Sequence, residues 1–148
     1  MDILNAGEAL FIACEMERRA IRLYERALVV FDGGPCQTAI KSILCDERRH
    51  LEQFSAMGGQ TPGFERARLL AAEGAKALFS GGLVEAQRKG AFTSPHALYA
   101  YAAEEEKEAI RYYGEFALRF GGETGVAFFT VKAEEEKHLR RLEELLES

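Results

Sequence analysis

Two short stretches have the spacing of a metal-ligand pair. They are "ERRH", Glu47 to His50, and "EEKH", Glu135 to His138. In each, a glutamate precedes a histidine by three residues, a step that brings helical side chains to one face. A carboxylate with an imidazole, and no thiolate, suits iron or manganese better than a structural zinc. Two more glutamates recur in a shared context. "ACEMERRAIRLY" (13 to 24) and "AAEEEKEAIRYY" (102 to 113) align Ala13, Glu17, Ala20, Ile21, Arg22 and Tyr24 with Ala102, Glu106, Ala109, Ile110, Arg111 and Tyr113. Glu17 to Glu106 is a step of 89 residues and Glu47 to Glu135 one of 88. The chain therefore reads as a duplicated unit, each half holding one glutamate helix and one E-x-x-H helix.

The helical period says where these residues point. With Glu106 at 0° and about 100° per residue, Ala102 falls at about +40°, Tyr113 at about −20° and Phe120 at about −40°. Glu106 thus lies inside an apolar stripe, whereas Glu104 and Glu108 fall about 160° to either side and Glu105 at about −100°. On the last helix, with Glu135 at 0°, His138 falls at about −60°, Leu139 at about +40° and Leu142 at about −20°. Glu17 lies between Ala13, Ala20 and Tyr24, and Glu47 and His50 lie among Ile40, Ile43, Leu51 and Phe54. Four carboxylates facing one core are untenable without a cation, since each unpaired buried charge costs several kcal/mol or forces a large pKa shift. Two divalent ions carry +4 against −4, with neutral imidazoles adding nothing. Glu17, Glu47, His50, Glu106, Glu135 and His138 are therefore the candidate ligands of a dinuclear site. Tyr24 and Tyr113 share the stripe, either as packing or as donors to ligating carboxylates. Glu104, Glu108, Glu134, Glu136, Glu143 and Glu144 read as solvated helix faces with i,i+4 partners. His96 belongs to neither repeat and reads as a surface residue.

The elements that must position these groups are four long helices. The first spans about 3 to 30, with Asp2 as its cap, and breaks at "FDGGP". The second spans about 36 to 57 and stops at "GGQTPG". The third starts at Ser94 and Pro95 and runs to about 120. The fourth spans about 124 to 146 after "GGET". No stretch alternates with period two, so no sheet is expected. Short connections make antiparallel hairpins of the first and second pairs. Residues 58 to 94 form a long crossover, in which "FERARLLAAEGAKALF" predicts a shorter helix before "SGG". The expected fold is all-α: a ferritin-like four-helix bundle of two antiparallel hairpins, one domain over residues 1–148.

Composition narrows the partners. A net charge of −5 argues against nucleic acid and anionic membrane. No apolar run is long enough to span a bilayer, and the N-terminal stretch lacks the basic region of a signal peptide. Cys14, Cys36 and Cys45 form no CxxC pair, which points to a reducing cytoplasm. Cys14 and Cys45 read as small core residues.

At Glu17-RRAIRLY, Glu47-RRH, Glu106-KEAIRYY and Glu135-EKH the chain resembles the rubrerythrin group of the ferritin-like superfamily. The match covers all four helices and leaves out the crossover. The resemblance implies a non-haem centre of two iron ions, with manganese or a mixed pair as variants. It implies reduction of hydrogen peroxide or dioxygen in oxidative-stress defence, and a homodimer, with domain swapping allowed by the long crossover. Rubrerythrin proper also carries a rubredoxin-like domain with paired CxxC motifs. None is present here, so the expected electron source is an external rubredoxin-like donor. Rubrerythrin proper has an extra glutamate three residues after its third-helix ligand, where this chain has Ala109. Glu105 with Glu108 is the alternative assignment. The alternative function is iron binding or storage without peroxidase turnover.

Overall fold

The computed structural model describes residues 5–34, 36–74 and 82–148, and among these the regular structure is entirely helical. The helices are α1 (Ala6–Val30), α2 (Gln37–Gly58), α3 (Phe64–Gly74), α4 (Gly82–Arg88), α5 (Pro95–Arg119) and α6 (Gly122–Glu147). None is long and apolar enough to cross a membrane.

The N-cap of α1 is Asn5; the expected cap, Asp2, lies outside the described residues. The Asn5 side chain accepts a hydrogen bond from the Glu8 backbone N–H at 2.8 Å, and Glu8 Oε1 accepts from Asn5 Nδ2 at 2.8 Å. The first bond satisfies one of the backbone donors that a helix start leaves free, and the second holds the two side chains together. Ser94 caps α5 as expected, accepting from the Ala97 N–H at 3.1 Å with Pro95 in the first turn. The crossover holds two described helices, α3 and α4, rather than the single short one expected. The predicted end of the first, at "AKALF", lies outside the described residues. The second is only two turns long and is held down by the fully buried Ala86.

Contacts fix the directions of the long helices. Cys14 meets Ser55 and Glu25 meets Arg48, so α1 and α2 run antiparallel. Phe116 packs on Phe128 while Glu106 faces His138, so α5 and α6 do too. The hairpins meet crosswise. Tyr24 reaches Glu106 and Tyr113 reaches Glu17 between α1 and α5, and Asp46 reaches His138 and Glu134 reaches His50 between α2 and α6. Each long helix therefore has two antiparallel neighbours, and the two halves are related by an approximate twofold.

Two apolar clusters sit above and below the polar middle. One gathers Leu23, Tyr24, Ile40, Leu44, Leu98 and Leu142. The other gathers Leu10, Phe54, Tyr113, Phe116, Phe128 and Val131. α3 lies against the first turns of α1 because two glycines let it come close. A Cβ on Gly7 would meet the Pro62 carbonyl oxygen at 2.2 Å, and one on Gly58 would meet the Phe64 ring at 2.3 Å. Phe64 fills the space so left and packs edge-on against Phe11 at 6.1 Å.

Candidate metal centre

The six predicted residues converge between the apolar clusters. Glu17 comes from α1, Glu47 and His50 from α2, Glu106 from α5, and Glu135 and His138 from α6. Their residual exposures are 1, 1, 0, 3, 1 and 5 %, so all six are withdrawn from water. They form two overlapping groups. One is Glu17, Glu47, His50 and Glu135, and the other is Glu47, Glu106, Glu135 and His138, with ligand atoms in each group within 4.8 Å of one another. Glu47 and Glu135 belong to both. Each side chain sits there because the 3.6-residue period places it on the apolar stripe that packing forces inward.

The unsatisfied atoms face one another. Glu17 Oε2, Glu47 Oε1, His50 Nδ1, Glu106 Oε2, Glu135 Oε1 and His138 Nδ1 are buried without a hydrogen-bond partner among the described residues. One atom from every member of the cluster is in this state, in a fold where such atoms are rare. His138 Nδ1 lies 3.1 Å from Glu135 Oε1 and 3.4 Å from Glu47 Oε1. His50 Nδ1 lies 3.4 Å from Glu47 Oε1 and 3.5 Å from Glu17 Oε1. The rings are roughly parallel, 29° apart, with centroids separated by 6.2 Å.

The remaining atoms are anchored from outside. His138 Nε2 donates to Asp46 Oδ2 at 2.9 Å, and His50 Nε2 bonds to Glu134 Oε2. Both acids are held ionised. Burial would raise them, but the facing histidine and Arg49 outweigh it and lower each below the usual carboxylate range. Arg49 touches both, at 3.1 Å to Asp46 and 2.9 Å to Glu134. An ionised carboxylate only accepts, so each Nε2 carries its hydrogen and each Nδ1 is the ring atom turned inward. That is the arrangement in which a histidine ligates a metal while a carboxylate fixes its tautomer. On the other flank, Tyr24 donates to Glu106 Oε1 at 2.8 Å and Tyr113 to Glu17 Oε1 at 2.9 Å. These hydroxyls bond to the candidate ligand carboxylates in addition to packing.

The electrostatics fit a cation. Burial pushes Glu17 upward, and burial with repulsion from neighbouring glutamates pushes Glu47 and Glu135 well above the usual carboxylate range. Burial lowers His50, yet Glu17, Glu135 and Glu134 outweigh it and raise the ring to about 9. His138 is raised in the same way, by Glu106, Glu135 and Glu47. The cluster thus holds protons tightly where ligand atoms meet, and a metal would take their place. Carboxylate and imidazole donors without thiolate complete the fit.

The other acidic residues sort as follows. Glu105 is bonded to Arg19 at 3.1 Å and Glu108 is exposed beside Arg111, so neither joins the cluster. Glu104 and Glu136 pair along their own helices with Lys107 and Lys132. Glu134 is a correction: it faces His50 across the hairpins instead of serving a solvated face. Asp46, to which the sequence reading gives no role, faces His138 in the same way. The signal was present, since each acid immediately precedes the glutamate of an E-x-x-H unit. Cys14 and Cys36 are buried, but Cys45 is exposed and is not a core residue. His96 is exposed as expected. No family model, curated protein or solved structure matches this chain.

Proposed function

We propose that the chain is a rubrerythrin-type di-iron oxidoreductase of the ferritin-like superfamily, reducing hydrogen peroxide or dioxygen with electrons from an external rubredoxin-like donor. The observation behind this reading is the pair of donor groups that share Glu47 and Glu135, each member presenting one unpartnered buried atom. Glu17 and His50 would complete one metal position and Glu106 and His138 the other, with the two shared carboxylates serving both. When bound, a redox-active pair would supply two electrons to a peroxide or dioxygen oxygen and act on it as a Lewis acid.

The protein's own part is positioning. Asp46 and Glu134 orient the imidazoles, and Tyr24 and Tyr113 hold one oxygen of each single-helix glutamate. The apolar clusters on either side bury the six candidate ligands, and burial strengthens the hydrogen bonds they make. A homodimer, with hairpin exchange through the crossover as one way to build it, belongs to the same reading.

Anaerobic loading with Fe²⁺, followed by metal analysis and an optical spectrum, tests the centre. About two irons per chain and a bridged-ferric band after oxidation are expected. A chain that retains no iron after desalting would overturn the proposal. Peroxide consumption with a rubredoxin-like donor then tests turnover.

A further inference from the structure

A cavity of about 940 Å³ opens between α1, α3 and α5 and reaches Glu17, Glu47, Glu106 and Glu135. Hydrogen peroxide has two oxygens. At roughly 30 Å³ per water molecule it needs about twice that volume, so the space exceeds it on the order of tenfold. Pockets for small organic ligands run roughly 300–1,000 Å³, mostly apolar with a few polar groups at one place. This cavity is of that kind. Phe11, Ile12, Met16 and Leu23 line it from α1, Leu70 from α3 and Tyr112 from α5, while the cluster carboxylates form its polar end.

We infer that the cavity binds a neutral organic hydroperoxide, with the hydrocarbon body against these apolar side chains and the –OOH head at the cluster. The chemistry rests on the redox reading above. The charge of the head is set by the lining. Arg19 is the only cation among the described lining residues, and it is paired with Glu105 at 3.1 Å. Glu104 and Glu108 also line the cavity, each already paired with a cation of its own helix, Lys107 and Arg111. An anionic head, such as a carboxylate or phosphate, therefore finds no unpaired cation among the described lining residues, whereas a hydroperoxide, uncharged at neutral pH, needs none. In the reaction the O–O bond breaks and the alcohol and one water are released. Two protons come from solvent, and two electrons come from the one-electron donor protein acting twice.

The test uses the full chain, cumene hydroperoxide as substrate, and 2-phenyl-2-propanol as the alcohol that cannot be reduced. Ala20 and Ala71 line the cavity from α1 and α3. Ala71→Trp and Ala20→Phe would each fill it from one side, so the test does not depend on one variant folding. Binding of the alcohol is followed by ligand-detected NMR, and the iron-loaded chain is then assayed with each peroxide. The expected result is saturable alcohol binding, weakened about tenfold or more in both variants. The rate ratio of cumene hydroperoxide to hydrogen peroxide should fall in parallel. No alcohol binding, or binding that both variants leave intact, overturns this inference alone if hydrogen peroxide is still consumed. Alcohol binding with no reaction of either peroxide overturns it together with the redox reading.

Discussion

Asp46 accepts a hydrogen bond from His138 Nε2 at 2.9 Å, across the boundary between the two hairpins. Glu134 bonds His50 in the twofold-related position. An acid on each hairpin thus orients the other hairpin's candidate ligand, and assembly of the bundle and of the centre become one event. Removing such an oriented partner commonly costs about 10- to 100-fold in metal affinity. Asp46→Ala should weaken one metal position by that factor and Glu134→Ala the other, as read by calorimetric Fe²⁺ titration. Equal effects on both positions from either variant would contradict the pairing.

Glu47 and Glu135 belong to both donor groups, whereas His50 and His138 each belong to one. His50→Ala should leave about one tightly held metal per chain, and Glu47→Ala should leave none. Metal content after desalting decides this. In the metal-free chain the sign reverses. Glu47→Met removes a carboxylate that burial penalises, and should stabilise by on the order of 1–4 kcal/mol in urea unfolding.

The metal-free chain should lose stability as pH rises. Glu17, Glu47 and Glu135 are raised, so the folded state keeps protons that unfolded glutamates give up above about pH 4.3. His50, raised to about 9, contributes stability that is whole below the unfolded value near 6.5 and lost as pH passes 9. Asp46 and Glu134 are lowered, and their contributions fall away only at acid pH, outside this window. Thermal midpoints should therefore fall from about pH 5 to 9 without metal. Fe²⁺ or Mn²⁺ should raise the midpoint most at the alkaline end, because its ligands must first lose protons.

Tyr113→Phe removes the donor to Glu17, and Tyr24→Phe the donor to Glu106. Each leaves a buried carboxylate oxygen unpaired, at a cost of about 1–3 kcal/mol. Chemical denaturation of the metal-loaded variants should show similar losses for both, as the approximate twofold requires. A loss confined to one would mean that the other hydroxyl only packs.

Much of this protein was legible in its sequence because helical periodicity and duplication are local properties of the chain. A glutamate that shares its helix face with apolar residues must turn inward with them, and the face of Ala102, Ala109 and Tyr113 separates Glu106 from Glu105 and Glu108. Glycine-rich breaks placed the helix ends to within a few residues, apart from the cap at Asn5 and the extra helix α4. The matching positions of Asp46 and Glu134, each just before an E-x-x-H glutamate, were legible, but their partners were not. One residue before an inward glutamate lies about 100° around the helix, which reads as solvent-facing until a second helix brings a histidine to that side. The exposure of Cys45, the Arg19–Glu105 pair and the cavity beneath α3 depend likewise on which helices meet and how closely. The sequence by itself determined which glutamates and histidines turn inward with the apolar stripe. Only the tertiary structure decided which are shared between the two halves, because that depends on distances between segments some ninety residues apart.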